Sequence, residues 1–355
     1  MAQSLASVES ALNWWLKPKV FGESWDNIGL LVGSGKFTKD EKIITGILVC
    51  NDLKPAVVEE AIANNANLVI SYHPPIFSGM KSIAYGSWKE QIIAKCLAYD
   101  ISVYSPHTTL DAVGGGINDA VIQALAEFGS SDAPLNSKAI IPSPILDTPK
   151  TGLLYTSTFD NVSTLCRLLS ANSYPDVAIS IDTNSSKGTA SVKFYSKLES
   201  SLGMSEIKKI ASATEISDFS NPNEAPPLAF GAGRFVSFAK PIDFDRVVKA
   251  IKLGLQLDYV QVAFAGKSEV NTVAVCVGSG GSLLKDVAAD MFITGEMSHH
   301  AILDSTFGGT SVILCNHCTS ERHYLPQLAS IVKLLTNIDH VIVSRQDSSP
   351  LSLSN

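Results

Sequence analysis

Hydrophobic residues recur along this chain with two different periods, and the alternation between them predicts its helices and strands. Residues 4–16 carry apolar side chains at helical spacing, and Pro18 ends that helix. Beyond it, short apolar runs alternate with amphipathic stretches of about ten residues, which is the pattern of βαβ units with a mostly parallel sheet. This first stretch predicts strands at 43–50, 68–72 and 101–105 and helices at 55–64, 87–98 and about 118–127.

The pattern changes near residue 131, where Ser, Pro and Asp become frequent, as they are at domain boundaries. Residues 151–220 then predict a strand, a helix, two strands, a helix and an extended piece at 213–217. That order is typical of half-barrel or ferredoxin-like α+β modules. A second linker follows at about 218–234.

After the second linker the first pattern resumes. The fold class predicted for the whole chain is therefore α/β, with two similar lobes at 1–130 and 241–355 and an inserted ferredoxin-like α+β module at 131–240. The resumed pattern predicts a helix at 243–254 and strands at 258–264, 272–278, 291–294, 311–315 and 340–344.

The two lobes also resemble each other segment by segment. GILVCND pairs with TVAVCVGSG, VISYHPP with FITGEMS, and VYSPHTTLD with ILCNHCTSE, which indicates a weak internal duplication. If the lobes pack face to face, the polar ends of equivalent strands are expected to converge across a pseudo-two-fold axis.

Composition narrows the class of protein. With 45% hydrophobic and 17% charged residues over 355 positions, the chain is expected to be compact, with two or three domains. A net charge of -7 argues against a phosphate-backbone surface, so direct nucleic-acid binding is not expected. Six scattered cysteines indicate a reducing compartment. No apolar run approaches the ~18 residues of a membrane span, and no basic residue precedes Lys17, so a cytoplasmic location is expected, with the nucleus and mitochondrion left open.

The main chemical signal is a strand that runs into a histidine, with an acid four residues later. It occurs twice, as His107 with Asp111 and as His317 with Glu321, and a third strand end supplies His73. Imidazole and carboxylate are metal ligands, and α/β proteins place their chemistry beyond the carboxyl ends of strands. One copy alone is more typical of chance or of a helix cap. Two copies at equivalent strand ends favour a metal site for Zn, Mn, Fe or Ni.

Three further groups are candidates with open alternatives. The loop of Gly278, Gly280 and Ser282 precedes a helix and suits either phosphate binding or a tight glycine turn. Glu296 follows a strand and is a candidate proton acceptor or ligand-orienting group. His299 and His300 more often serve as cap and surface residues in such a position, and Asp26 and Asn27 are favoured as turn formers.

Together these segments resemble the Nif-three-like family, the dinuclear metal-centre proteins also described as GTP cyclohydrolase type-two homologues. The resemblance implies one Nif-three-like domain made of both lobes, and the middle module is similar to the PII- or CutA-like insert of the longer members. It rests on ordered motifs over nearly the whole chain: WDNIGLLVG, NDLKPAVVEEAI, SYHPPIF, YSPHTTLDAVGGGIND, GAGR, TGEMSHH, CNHCTSER and VSRQDSSP.

The resemblance also implies a ligand set and an assembly. His73, Asp111, His317 and Glu321 are expected to bind divalent metal, with His107 close by or ligating directly. Many bacterial members have His-His where this chain has Tyr72-His73, and phenol is a poorer ligand at neutral pH, so one or two cations per chain remain possible. Members similar to this chain form toroidal oligomers, which implies a homo-oligomer, namely a hexamer.

The function expected from these observations is that of a metal-dependent hydrolase acting on a nucleotide-like or phosphorylated small molecule, with GTP among the candidates. His107 or Glu296 would move the proton, and the loop of Gly278, Gly280 and Ser282 would receive phosphate. Two alternatives stay open. One is a regulatory or scaffold protein with structural metal that binds a metabolite or a protein partner, including transcriptional regulators; the other is metal storage or delivery.

Overall fold

A computed structural model of the chain describes residues 2–33, 41–129, 135–143, 151–171, 177–184, 187–196, 202–213, 219–220 and 230–351. Contacts divide it into two compact units: unit 1 comprises 1–110, 149–223 and 325–355, and unit 2 comprises 111–148 and 224–324. Within the described residues, no helix is both long enough and apolar enough to cross a membrane. The lobe boundaries at 130 and 240 stay a prediction.

The helices and strands follow the predicted alternation. Those of the first half are β1 Gln3–Ser4, α1 Leu5–Leu16, α2 Pro18–Phe21, β2 Gly29–Val32, β3 Ile43–Ile44, β4 Ile47–Cys50, α3 Pro55–Ala63, β5 Leu68–Ser71, α4 Trp88–Ala98, β6 Ser102–Ser105, α5 His107–Ala112, α6 Ile117–Gly129, β7 Leu135–Lys138, β8 Ile141–Pro142, β9 Thr151–Thr158, α7 Phe159–Ser170 and β10 Val177–Asn184. Those of the second half are β11 Thr189–Ser196, α8 Leu202–Ala213, β12 Phe219–Ser220, β13 Gly231–Ala232, β14 Arg234–Asp243, α9 Phe244–Gly254, β15 Gln261–Ala263, β16 Glu269–Cys276, α10 Gly281–Leu284, β17 Met291–Thr294, α11 His299–Phe307, β18 Ser311–Leu314, α12 His317–Arg322, α13 Leu325–Thr336 and β19 Val341–Val343.

Unit 1 is built on a five-stranded sheet in the order β19-β4-β5-β6-β2. β19, β4, β5 and β6 are parallel neighbours, and β2 joins the edge antiparallel to β6. Every residue of β4, β5 and β6 is buried, as expected for parallel strands covered on both faces. Helices α3 and α4 contribute to one buried apolar cluster with β4, β5 and β6, and α13 packs on β4, β19 and α1.

The predicted α+β segment also belongs to unit 1. Its four strands pair antiparallel in the order β10-β11-β9-β12, with α7 linking β9 to β10 and α8 linking β11 to β12. α7 packs on α1 and α13. The predicted order of strands and helices is present, but most of the extended piece expected at 213–217 lies outside the described residues.

Unit 2 is built on a six-stranded sheet in the order β15-β18-β17-β16-β14-β7. β16, β17 and β18 are parallel, whereas β14, β7 and β15 join antiparallel. The two units thus repeat one arrangement, in which three parallel strands follow one another in the chain. In each, the third strand leads into a six-residue helix that begins with a histidine, His107 in α5 and His317 in α12.

A buried ion pair holds unit 2 together where the GAGR motif meets α6. Arg234 is fully buried and donates from Nε and Nη2 to both carboxylate oxygens of Asp119, at 2.7 and 2.9 Å. Its Nη1 donates to the carbonyls of Gly231 and Gly233, and Asp119 also accepts from the Gly115 amide. The GAGR and GGGIND motifs are therefore tied together by one bidentate pair, the geometry that makes such pairs strong.

Candidate metal centre

His73 lies just beyond the carboxyl end of β5 and is held by the loop that follows β4. Its backbone N–H donates to the Asn51 carbonyl at 2.9 Å, and its Nδ1 lies 2.9 Å from Asp52 Oδ1. With the proton on Nδ1 and donated to this carboxylate, the imidazole carries its lone pair on Nε2. A carboxylate that fixes the tautomer and raises the basicity of a histidine is typical of metal-binding histidines.

The C-terminal segment supports the same loop. The buried carboxylate of Asp347 accepts the Asn51 N–H at 2.7 Å, and Lys54 donates to the Ser348 carbonyl at 2.5 Å. Burial raises the pKa of Glu60, but hydrogen bonds from the Ser344 hydroxyl and from the backbone N–H groups of Arg345 and Gln346 outweigh it, so the pKa is lowered. The VSRQDSSP motif therefore has a structural role beside His73.

His107 is oriented by a carboxylate from far away in the sequence. Its Nδ1 lies 2.7 Å from Asp26 Oδ1, and the second oxygen of Asp26 accepts from the backbone N–H and hydroxyl of Thr108. Burial raises the pKa of Asp26, but the hydrogen bonds from His107 and Thr108 outweigh it, so the pKa lies below its usual value. Asp26 is thus ionised at neutral pH and accepts a hydrogen bond from Nδ1–H, and in the neutral imidazole this tautomer carries the lone pair on His107 Nε2. Turn formation, the role favoured for Asp26 from the sequence, does not account for this contact, because the Asp26 carboxylate also positions the predicted site residue His107.

Tyr72 packs beside His73 and His107. Its ring centroid lies 5.0 Å from that of His73 and 5.6 Å from that of His107, and the two imidazole centroids are 5.6 Å apart. Tyr72 is 2% exposed. Tyr72 is therefore a buried neighbour of the two imidazoles.

In unit 2, His317 lies between two carboxylates. Its Nδ1 is 3.0 Å from Glu296 Oε1 and its Nε2 is 3.2 Å from Glu321 Oε1. Glu321 is buried, whereas the Glu296 side chain is 57% exposed. Asn316 precedes α12 with φ +60°, a conformation that asparagine tolerates better than most residues, and this turns the chain from β18 into the helix.

Asp111 and Glu321 belong to the same unit and both act electrostatically on the Cys276 thiol. Burial, followed by the negative charges of Asp111 and Glu321, raises the pKa of the Cys276 thiol to about 12. The fully buried Asn118 donates to the Asp111 carbonyl at 3.1 Å and accepts from the Val277 N–H at 3.0 Å, so it joins the Asp111 segment to the glycine loop. The Asp111 segment is thus tied to the loop that approaches Glu321.

The glycine loop comes close to these ligands. A Cβ on Gly278 would lie 2.5 Å from Glu321 Oε1 and 3.4 Å from His317 Nε2, and a Cβ on Gly295 would lie 2.5 Å from the Gly278 carbonyl. The N–H groups of Gly278 and Gly280 donate to the hydroxyls of Ser320 and Thr294, at 2.9 and 3.1 Å. The close approach explains these glycines, while phosphate binding by Gly278, Gly280 and Ser282 stays a prediction.

Replacing Gly278 by alanine is expected to lower metal affinity about 10- to 100-fold, because the added methyl group would lie 2.5 Å from Glu321 Oε1 and displace that carboxylate. The measurement is calorimetric titration of the metal-free protein with Zn²⁺ or Mn²⁺. Gly188→Ala is the matched control, since Gly188 has φ +63° against +61° for Gly278, and a Cβ there meets nothing within 4 Å. Wild-type affinity in Gly278→Ala would show that the ligands do not lie against this glycine.

His73, His317 and Glu321 form a group that could hold a metal ion, because one ligand atom of each lies within 4.8 Å of the others. Two imidazole nitrogens and a carboxylate oxygen form a borderline donor set that fits Zn, Mn, Fe or Ni better than Ca or Mg. Three of the four predicted ligands are in this group. Among the described residues, the group does not include Asp111 or His107.

The fold and this donor group define a class, namely mixed α/β proteins with a candidate His/Glu metal site. The chain belongs to the Duf34/NIF3 (NGG1p interacting factor 3) family, whose model matches residues 4–350. It is 33% identical to NIF3-like protein 1 of Dictyostelium discoideum over 95% of this chain and 94% of that protein. NGG1-interacting factor 3 of Saccharomyces cerevisiae is 29% identical over 95% of this chain and 92% of its own length.

Two solved structures show the same fold. A Bacillus cereus protein related to NIF3 has a TM-score of 0.65 at 20% identity and covers 98% of both chains. HcgD from Methanocaldococcus jannaschii, in its reduced form, has a TM-score of 0.61 at 15% identity over 98% of this chain and 99% of its own. The predicted family and the mixed α/β fold are thus confirmed.

Sequence reasoning missed the residues that orient the site. Asp26, Asp52 and Asn118 each hold a predicted site residue or its backbone, and Gly295 leaves room for the backbone around His317. Asp26 and Asp52 lie in motifs that were noticed, WDNIGLLVG and NDLKPAVVEEAI. An acid at the end of an apolar strand, as in Asp52, was the available signal. The catalytic roles of His107 and Glu296 stay predictions.

Proposed function

We propose that this protein is a divalent-metal-dependent hydrolase that acts on a nucleotide-like or phosphorylated small molecule. The observation that carries the proposal is the group of His73, His317 and Glu321, whose ligand atoms lie within 4.8 Å of one another. These residues would hold one cation, and Asp111 would contribute to a second, weaker one. A cation bound there lowers the pKa of water and polarises an electrophilic carbonyl or phosphoryl group.

The protein's own side chains supply the proton transfers. His107, with Nδ1 bound to an ionised Asp26, has a lone pair on Nε2 to accept a proton. Glu296 lies against His317 Nδ1 and is largely exposed, so it would both orient that ligand and exchange protons with solvent. The loop of Gly278, Gly280 and Ser282 would contact a phosphate of the substrate, and GTP belongs to the substrate class.

The remaining features belong to the same proposal. The antiparallel segment from β9 to β12 has the strand order of a ferredoxin-like module, and we assign it as the PII-like insert. Assembly as a hexamer and a cytoplasmic location complete the proposal.

A second candidate is a regulatory or scaffold protein in which the metal is structural. The names of the family and of its yeast relative describe an NGG1-interacting factor, at 29% identity to this chain, which favours a protein partner. For this candidate, metal loss would dissolve the oligomer or release the partner without abolishing any reaction.

The experiment is reconstitution of metal-free full-length protein with Zn²⁺, Mn²⁺, Fe²⁺ or Ni²⁺, followed by incubation with a nucleotide panel that includes GTP. We expect turnover of at least one compound with one metal, and its loss in His73→Ala. Protein that binds metal stoichiometrically but turns over nothing with any of the four would contradict the hydrolase and favour the regulatory candidate.

A further inference from the structure

Two exposed aromatic side chains stand beside His107. Trp25 is 59% exposed and Phe77 is 47% exposed. Their ring centroids lie 6.1 Å apart at an interplanar angle of 61°, so the two rings form an open corner. Both rings also contact the His107 imidazole, at centroid distances of 6.1 and 6.3 Å. Two exposed rings in contact with each other form a contiguous apolar patch, and such patches, unlike single exposed rings, mark binding sites.

Hydrogen bonds of neighbouring residues hold the corner of Trp25 and Phe77 in place. Asn27 Nδ2 donates to the Ile76 carbonyl, which ties the segment carrying Trp25 to the segment carrying Phe77. Asp26, next to Trp25, binds His107 and Thr108. The hydrogen bonds of the polar neighbours therefore hold the two rings and the imidazole in a fixed arrangement.

The geometry leaves ring faces available. Trp25 and Phe77 meet each other and His107 at interplanar angles of 61°, 81° and 87°, all edge or T-shaped contacts. Within the described part of the chain, no ring is stacked parallel on either of them. An offset parallel stack, one of the preferred aromatic arrangements, is thus open to a ligand.

One polar acceptor completes the corner. His107 Nδ1 is occupied by Asp26, and Nε2, with its lone pair, has no hydrogen-bond partner among the described residues. Two apolar walls and a single acceptor fit a flat ring with an N–H on its edge. A wholly apolar ring would leave the acceptor unpaired, and an extended peptide would not fill a corner of two rings.

We propose that Trp25 and Phe77 form a stacking site for a planar nitrogen heterocycle, such as the base of a nucleotide, whose edge N–H donates to His107 Nε2. The inference deepens the proposed function and rests on it, because it takes the neighbouring His73 and His107 as the groups that act on the substrate. Trp25 and Phe77 then select the ring, while the metal ligands act on another part of the molecule.

The test compares binding of guanosine 5′-monophosphate and ribose 5-phosphate, which lacks the ring, to metal-loaded full-length protein by calorimetry. We expect Trp25→Leu and Phe77→Leu each to weaken the nucleotide about 5- to 150-fold, the range for loss of one base-stacking ring, and Trp25→Phe to restore much of it. Ribose 5-phosphate should bind weakly and equally to all variants. Trp88→Leu is the matched control, since Trp88 is 52% exposed and, among the described residues, its ring contacts Lys89 and none of the corner's three rings.

Measuring the metal content and thermal unfolding of each variant distinguishes failure of the stacking site from failure of the proposed hydrolase. Nucleotide binding unchanged in Trp25→Leu and Phe77→Leu, or absent from wild-type protein that holds its metal, would overturn the stacking site. If Trp25→Leu formed a smaller oligomer and still bound the nucleotide, the stacking site would be overturned, and Trp25 would instead be assigned to a contact between copies of the chain. Ring-dependent binding in protein that turns over nothing would support the site while the hydrolase fails.

Discussion

Glu321→Gln is expected to abolish tight metal binding while the protein remains folded. Glu321 is 2% exposed and its Oε1 lies 3.2 Å from His317 Nε2 in the group of possible ligands. Glutamine has the same shape but no charge, so it removes the anion that the cation requires and leaves packing almost unchanged. We expect metal affinity to fall about 100-fold or more, measured by competition with a metal-binding dye.

The control for this variant is Glu269→Gln, which removes an exposed carboxylate from β16 of the same unit. It should bind metal like the wild type, and both variants should unfold at similar temperatures when metal-free. Unchanged metal affinity in Glu321→Gln would contradict the assignment of this residue as a ligand and remove the main support for the hydrolase.

Arg234→Met is expected to cause the largest loss of stability. It leaves the Asp119 carboxylate, now bound by two guanidinium nitrogens, as an uncompensated charge in a buried place, and the carbonyls of Gly231 and Gly233 lose their donor. Breaking one partner of a buried pair costs about 3–5 kcal/mol. For 355 residues, the apparent midpoint of thermal unfolding should therefore fall by roughly 4–7 °C.

A double variant tests the cause. Arg234→Met combined with Asp119→Asn removes both charges and should recover part of the lost stability, because the unpaired carboxylate is gone. Arg246→Met, at an exposed arginine of α9, is the matched control and should leave the midpoint within about 2 °C. Equal midpoints for Arg234→Met and Arg246→Met would show that the buried pair contributes little.

Local patterns predicted the secondary structure well. The strand expected at 291–294 is β17 with the same bounds, and the helix expected at 55–64 is α3, Pro55–Ala63. The strand expected at 43–50 is two pieces, β3 and β4, interrupted before Gly46, where a Cβ would lie 2.4 Å from the His340 ring. That interruption depends on a residue distant in sequence, so no local period reveals it.

Strand pairing was harder to predict from the sequence than the strands themselves. The apolar run at 340–344 predicts a strand, but only the structure shows that β19 pairs with β4, nearly the full chain length away, and so belongs to unit 1. The same apolar pattern suits a parallel strand at either edge of a sheet, or a strand in a different sheet. The pattern reports whether a strand is buried, but it does not report which strand lies beside it.

For the candidate site, the sequence by itself determined which residues are candidate ligands, because a histidine or acid at the end of a buried strand marks His73, His317 and Glu321. The same signal also marked His107 and Asp111, which are not in the group. Only the tertiary structure decided how these groups are oriented. Asp52 reaches His73 across 21 residues, and Asp26 reaches His107 across 81. The candidate ligands follow buried strands, and strands are recognisable in the sequence by their apolar pattern. The residues that orient the ligands depend on contacts between distant segments, which no local pattern reveals.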